Sequence, residues 1–116
     1  MADTGWQELE LENCEAAGEN DLCQIRKIDK QVYIRGVLRT SASIPANTRM
    51  IAAKLPEGFR PSMRLQTQAG VISSDYALSV LIYIAKNGET LDLRNLAASA
   101  LASGRQITIA CTYAVD

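Results

Sequence analysis

The sequence ALSVLIYIAKNGETLDLRNL, residues Ala77–Leu96, contains two apolar, β-branched runs on either side of Asn87 and Gly88. An Asn-Gly pair between such runs is a strong signal for a β-hairpin, because both residues tolerate the positive φ angles of a type I′ turn. We therefore predict a hairpin with Asn87 and Gly88 as its two loop residues. This choice of loop fixes which residues of the two strands face each other.

The predicted register separates the hairpin into an apolar face and a polar face, because opposed residues of an antiparallel pair project to the same side. The expected pairs are Lys86–Glu89, Ala85–Thr90, Ile84–Leu91, Tyr83–Asp92, Ile82–Leu93 and Leu81–Arg94. The apolar face carries Ile82, Ile84, Leu91 and Leu93, and the polar face carries Leu81, Tyr83, Asp92 and Arg94. A shift by one residue would mix these sets, so the alternation of apolar and polar residues favours this register over its neighbours.

The polar face is the candidate functional surface. Tyr83, Asp92 and Arg94 supply an aromatic ring, a carboxylate and a guanidinium, which are the groups that stack on sugar rings and hydrogen-bond their hydroxyls. A solvated outer face and a subunit interface explain the same pattern, so three interpretations stay open. A hydrolytic site built from the carboxylates of Asp75 and Asp92 is a further alternative, although no motif supports it.

Composition excludes several classes of protein. The 116 residues are the size of one domain, and 47% of them are hydrophobic. The chain has no histidine, which excludes a histidine-zinc site and a Ser-His-Asp triad within one chain. No apolar run reaches the ~18 residues of a membrane span. Residues 1–22 lack both the basic and the apolar region of a signal peptide.

Charge is unevenly distributed along the chain. Seven of the 13 acidic residues precede residue 23, which leaves six acids among the later residues with all 12 Lys and Arg. This asymmetry suits an acidic first segment lying beside basic strands, in the same chain or in a neighbouring one. Because the basic residues are scattered and aromatic residues are few, we do not expect a nucleic-acid partner.

The cysteines do not form a recognisable framework. The chain has an odd number of cysteines, Cys14, Cys23 and Cys111, and no two of them are spaced as in a CxxC motif. We expect free thiols, with a Cys14–Cys23 bridge as the open alternative.

A second hairpin is predicted over residues 22–39, with Asp29 and Lys30 in the turn. Its core face would carry Cys23, Ile25, Val32 and Ile34, and its outer face Gln24, Arg26, Tyr33 and Arg35. Gly36 interrupts the second strand, which indicates a bulge or a close approach of two backbones.

Further strands are predicted at Trp6–Leu11, Arg49–Leu55, Ser62–Ala69 and Arg105–Val115, with loops at 13–21 and 40–48 and a loop or one helical turn at 97–104. The stretch PEGFRP, residues 56–61, predicts a rigid corner anchored by Phe59, with a binding role as the alternative. Trp6 fits a core or interface position better than sugar stacking. About seven or eight short strands with regularly spaced turns indicate an all-β fold, an antiparallel Greek-key β-barrel or sandwich. We expect a flexible lead at residues 1–5 and a single domain at 6–116.

Five stretches, in this order, resemble the C-terminal head domains of phage tail-fibre and baseplate receptor-binding proteins, best known from lactococcal siphophages. They are GWQELEL (5–11), IRKIDKQVYIRG (25–36), LPEGFRP (55–61), IYIAKNG (82–88) and TYAVD (112–116). The second is similar to the family's RK-x-G-x-x-V hairpin, in which Asp29 replaces the glycine, and the third to its LPxG(F/Y)RP corner. Together the stretches cover most of the chain.

The resemblance implies a β-barrel head that forms a homotrimer at the tip of a phage or prophage tail. It implies a virion protein, made in the bacterial host cytoplasm, that recognises host-surface saccharide and contacts other tail or baseplate proteins. Neither catalysis, a cofactor nor membrane insertion is implied. Lactococcal heads place the His, Asp and Trp residues of their saccharide sites on and after this hairpin strand. The corresponding region of this chain offers Leu81, Tyr83, Asp92 and Arg94, with no His or Trp. A purely structural trimeric cap or spacer of the fibre is the alternative function.

Overall fold

A computed structural model describes residues 2–71, 80–97 and 100–115, and all of the regular structure in these ranges is β-strand. The strands are β1 Gln7–Glu8, β2 Glu10–Leu11, β3 Cys14–Ala16, β4 Gln24–Ile28, β5 Gln31–Arg35, β6 Val37–Thr40, β7 Thr48–Lys54, β8 Leu65–Gln68, β9 Gly70–Val71, β10 Val80–Ile84, β11 Thr90–Asn95, β12 Gln106–Thr108 and β13 Cys111–Ala114.

The strands form three antiparallel sheets around one apolar core. Their orders are β1-β4-β5-β13, β2-β7-β11-β10-β8 and β3-β6-β12-β9. The all-β, antiparallel fold class predicted from the sequence is confirmed. None of the described residues belongs to a helix long and apolar enough to cross a membrane.

Several predicted strands are divided between two sheets, so the described strands are shorter and more numerous than seven or eight. Leu9 separates β1, which pairs with β4, from β2, which pairs with β7. Gly36 separates β5 from β6 in the same way, and residues 109–110 separate β12 from β13. The loop predicted at 13–21 is wrong for Cys14–Ala16, because these residues pair with β6.

The hairpin of β4 and β5 has the predicted register, with Ile28 opposite Gln31 and Gln24 opposite Arg35. Its core-facing side chains Cys23, Ile25, Val32 and Ile34 are all buried. Asp29 adopts φ +54° in the turn. This left-handed conformation explains why a glycine also suits the position in the resembling hairpins, since Asp is among the few other residues that tolerate it.

The hairpin of β10 and β11 has the predicted register over its outer part, where Leu81–Arg94, Ile82–Leu93 and Tyr83–Asp92 are paired. The pairs predicted next to the turn, Ile84–Leu91, Ala85–Thr90 and Lys86–Glu89, are not part of this ladder. The inward side chains of Ile82, Ile84, Leu91 and Leu93 are 0% exposed. The strand β11 continues this pattern to Asn95, whose buried amide donates to the carbonyl of Ile44 at 3.0 Å. The predicted apolar face is therefore the centre of the core.

The predicted type I′ turn of this hairpin is wrong. Asn87 has φ +54°, but the φ of Gly88 is not positive, and the turn bond joins the Gly88 N–H to the Ala85 carbonyl at 2.8 Å. Tertiary hydrogen bonds account for the difference: the Asn87 N–H donates to the Pro61 carbonyl at 2.9 Å, which holds the loop against the proline-rich corner. Gly88 is needed for space, because a Cβ there would lie 2.7 Å from the Ala85 oxygen.

The PEGFRP corner is confirmed as a rigid, anchored turn. Phe59 is 7% exposed, and its N–H donates to the Pro56 carbonyl at 3.1 Å. The Tyr113 hydroxyl donates to the Phe59 carbonyl, and the Lys27 ammonium lies 4.9 Å from the Phe59 ring centroid. The corner is thereby joined to two strands of the first sheet.

The acidic first segment lies beside basic strands of the same chain, as its charge predicts. The ion pairs are Asp3–Arg26, Glu12–Lys54 at 3.1 Å and Glu15–Arg39 at 3.8 Å. Residues 2–5, expected as a flexible lead, run along β4: the Thr4 N–H donates to the Lys27 carbonyl at 2.9 Å. The division into a lead and one domain stays a prediction.

The three cysteines are free thiols. Burial raises the pKa of Cys14 to about 12 and that of Cys23 to about 11, so both are protonated at neutral pH and unreactive. In the segment predicted as a loop or helical turn, Leu101 instead forms a β-bridge with Ile44.

The close backbone approach predicted at Gly36 is confirmed and gives a test of the fold. Gly36 has φ +143°, and a Cβ there would lie 2.6 Å from the Cys23 Cα. We expect Gly36→Ala to lower the free energy of unfolding by roughly 2–4 kcal/mol, the combined cost of backbone strain and overpacking. Urea unfolding followed by tryptophan fluorescence measures this loss.

Gly104→Ala is the matched control, because Gly104 has φ +82° but nothing within 4 Å of the added Cβ. It should cost only the backbone strain of about 1–2 kcal/mol. Equal losses in the two variants would contradict the close approach as the cause.

The Asp3–Arg26 pair gives a second test. Two hydrogen bonds from Arg26, with one from the Gly5 N–H, lower the pKa of Asp3 from 3.8 to about 2. A lowered carboxyl pKa stabilises the fold above pH 3.8, and this contribution is lost as the pH falls through about 2. We expect an NMR titration of the Asp3 carboxyl to have its midpoint near pH 2, and Arg26→Gln to return it towards 3.8. An ordinary midpoint in the unchanged protein would instead support a flexible lead.

Candidate functional site

The predicted site residues lie on the outer face of the sheet β2-β7-β11-β10-β8. Tyr83 is on β10, and Asp92 and Arg94 are on β11. All three side chains are half-buried, in contrast to the fully buried side chains that alternate with them. Asp75, the other carboxylate of the hydrolytic alternative, lies outside the described residues.

A β-bulge in β7 brings another arginine to this face. Leu91 pairs with Ala53, but the next residue of β11, Asp92, pairs with Ile51, so Ala52 has no partner on β11. The extra residue changes which side chains of β7 point outward. As a result, Arg49 lies directly opposite Arg94 on the outer face.

Tyr83 and Arg49 form a cation–π contact. The guanidinium carbon of Arg49 lies 4.7 Å from the centroid of the Tyr83 ring. A guanidinium at this distance is attracted by the ring quadrupole. It also covers a face of the ring on which a sugar would otherwise stack. The Tyr83 ring therefore positions the Arg49 guanidinium on the outer face of the sheet.

Asp92 is the carboxylate beside this contact. Its Oδ1 accepts from the Thr90 hydroxyl at 2.9 Å, and its Oδ2 lies 4.0 Å from Nη1 of Arg49. Burial raises the pKa of Asp92, while the Thr90 hydrogen bond and the Arg49 charge oppose the rise. Its side chain is only 15% exposed, so the carboxylate helps to hold Arg49 and offers little surface to a ligand.

A polar depression of about 330 Å³ opens beside these residues, and its lining consists of Asn47, Arg49, Arg64, Tyr83 and Arg94. Arg94 donates to the Gln66 amide oxygen at 3.4 Å, and Arg64 is exposed just before β8. Two guanidiniums from strands of one sheet, β7 and β11, and a third from the residue just before β8 therefore line a single space. Such a space can accept hydrogen-bond acceptors, especially anionic ones.

Arg49, Arg64 and Asn47 could not be assigned to the site from the sequence. The alternation in residues 62–69 places Arg64 on a polar face together with Gln66, which is a local signal. That β7 and β8 flank the hairpin depends on pairings between distant segments, and the outward position of Arg49 depends on the bulge. No local pattern contains that information.

The surroundings of Trp6 differ from those of a core residue and from those of an open ring on which a sugar could stack. It is half-buried, with the guanidinium carbons of Arg35 and Arg26 at 3.8 Å and 5.8 Å from the centroid of its ring. The nearer arginine covers the ring and is itself held by the Gln24 amide oxygen at 2.8 Å. Among the described residues, no cluster of three or more His, Cys, Asp or Glu side chains is arranged to hold a metal ion.

Comparisons with known proteins find similarity to solved structures and none to family models or curated sequences. No protein-family model matches the sequence, and no curated protein matches it. Among solved structures, the chain is similar to the crystal structure of the head domain of phage bIL170, described with the receptor-binding domains of lactococcal phages. The TM-score is 0.73 at 18% sequence identity, over 96% of this chain and 97% of that chain.

The similarity therefore covers nearly the whole of both chains rather than a shared motif. At this level of identity it establishes the fold and carries no residue-by-residue assignment of function. The chain has the head-domain fold of a lactococcal phage receptor-binding protein.

Proposed function

We propose that this chain is a phage or prophage receptor-binding head that recognises a host-surface saccharide as a homotrimer. The observation that carries the proposal is the match to the bIL170 head domain over nearly the whole of both chains. Its place is the virion, at the tail tip, in contact with other tail or baseplate proteins. The activity proposed is binding rather than catalysis.

The outer face of β10 and β11 supports this proposal. Tyr83, Asp92 and Arg94 lie on strands whose opposite faces are fully buried, so the side chains are held on a rigid support. The depression beside them is polar and open to solvent. We propose Arg94 as a direct contact to the saccharide, with Tyr83 and Asp92 acting mainly through Arg49.

A purely structural cap or spacer of a tail fibre is the second candidate. The observation that favours it is the covering of both candidate aromatic platforms: Arg49 lies over Tyr83, and Arg35 lies over Trp6. A lectin-type site normally leaves such a ring free for stacking. The two candidates differ in whether the isolated chain binds glycans.

Screening of the protein on an array of bacterial surface polysaccharides separates these candidates. We expect saturable binding to at least one polysaccharide. Tyr83→Ala should weaken that binding about tenfold, because Arg49 loses the ring that positions it.

Tyr33→Ala is a matched control, because Tyr33 is an exposed tyrosine on a strand of another sheet. It should leave the affinity unchanged. Absence of binding to every polysaccharide on the array would count against the receptor-binding function and favour the structural cap.

The oligomeric state is a separate test. Light scattering at micromolar concentration should give three times the mass of one chain. Large hydrophobic side chains that are exposed in the single chain, such as Met63 at 76%, support burial against a partner. A monomeric mass would contradict the homotrimer.

A further inference from the structure

The opposition of Arg49 and Arg94 is unfavourable for the fold taken alone. The two residues are direct partners across β7 and β11, and like charges in such a position destabilise a sheet. The bulge at Ala52 creates this opposition, because an unbroken ladder would place Met50 opposite Arg94. Bulges of this kind often re-aim side chains beside functional sites. An arrangement that costs stability and is built by a specific distortion suggests a ligand for the two cations.

The charges around the depression are incompletely compensated. Three of its five lining residues are arginines, and none is acidic. Asp92 lies beside Arg49 only, at 4.0 Å. In the described ranges 2–71, 80–97 and 100–115, neither Arg64 nor Arg94 forms an ion pair, and Arg94 donates to the neutral amide of Gln66. At least two positive charges are therefore available to a ligand.

Two other depressions formed by the described residues lack this imbalance. One of about 430 Å³ is lined by Glu19 and Asp21 together with Arg35. Another, of about 440 Å³, combines three glutamates with Lys54 and Arg60. Both contain acids and bases together, so their charges largely offset each other. A further depression of about 220 Å³ has Arg64 as its only charged lining residue. The arginine depression stands apart from these three because three like charges line it.

The guanidiniums are also partly preorganised. Arg49 is held between the Tyr83 ring and the Asp92 carboxylate, and Arg94 is held by Gln66. A guanidinium presents a planar fork of N–H donors that matches the oxygens of a phosphate or carboxylate. Donors fixed before binding lose less conformational entropy when the ligand arrives.

We propose that Arg49, Arg64 and Arg94, with the side-chain amide of Asn47, form a binding site for a phosphate or carboxylate group. The assignment of that group to a host-surface saccharide rests on the proposed function, whereas anion binding itself does not. The receptor would then be an acidic polysaccharide, and a neutral one would lack the group that the site selects.

Three matched sugars test the site: glucose 6-phosphate, glucuronate and glucose, which differ only in the group at C6. Each is titrated into the full chain at low salt, with binding followed by NMR shifts of the backbone amides of residues 47–49, 64 and 94. We expect binding of one or both acidic sugars, with shifts at these residues, and at least tenfold weaker binding of glucose. The stronger of the two acidic sugars identifies phosphate or carboxylate as the preferred group.

Variants assign the binding to the arginines. Arg64→Gln and Arg94→Gln should each weaken the acidic sugar about tenfold, while Arg94→Lys should recover part of the loss because the charge is kept. Arg39→Gln, on β6 and paired with Glu15, is the control and should have no effect.

Equal binding of glucose and the acidic sugars, no binding of any of them, or unchanged affinity in Arg64→Gln and Arg94→Gln would overturn the site. These outcomes are distinct from failure of the proposed function. Acidic sugars that bind at the arginines, with no polysaccharide bound on the array, would keep the anion site and reject the receptor-binding head. A neutral polysaccharide bound on the array, unaffected by the arginine variants, would do the reverse.

Discussion

The central constraint of this molecule is the burial of one face of the β10–β11 hairpin. Ile82, Ile84, Leu91 and Leu93 are completely buried, and β11 is the middle strand of its five-stranded sheet. Burying one Leu or Ile side chain contributes about 1.5–3 kcal/mol, so four of them fix the register strongly. Once that register is fixed, the alternate residues Tyr83, Asp92 and Arg94 must point outward. The candidate site is therefore a consequence of the core.

The parts of the fold that could be predicted are those in which neighbours in sequence are neighbours in space. Both hairpin registers follow from alternation of apolar and polar residues around a turn. The structure confirms that of β4 and β5 in full and that of β10 and β11 away from the turn. The close approach at Gly36 follows from a glycine inside a strand. The short strand Cys14–Ala16 was missed because its stabilising contacts are with β6, more than twenty residues away, and its own sequence is turn-rich. The type I′ turn failed for a related reason, since the bond from Asn87 to Pro61 outweighs the local preference of Asn-Gly.

The residues of the candidate site likewise fall into those that local sequence could predict and those that it could not. Its predicted members share a face because they belong to one hairpin, whereas Arg49 and Arg64 join them only through the pairing of β7 and β8 with that hairpin. The bulge at Ala52 adds a second obstacle. Strict alternation along β7 without the bulge would place Arg49 on the inner side of the sheet, which is wrong. The charge of the site was thus underestimated from the sequence, because the polar face shows only one of the three guanidiniums that line the depression.

The arginines also account for how the sheet tolerates its own like-charged pair. Arg49 is half exposed and bends over Tyr83, which leaves its charge beside Asp92 and solvent. Water screens part of the remaining repulsion with Arg94, so the pair lowers the stability of the sheet without preventing its formation. An anion between the two guanidiniums would convert that repulsion into two favourable contacts without any change in the buried hairpin beneath. The core thus supplies the rigidity, and the bulge supplies the charge pair, on which the proposed anion site depends.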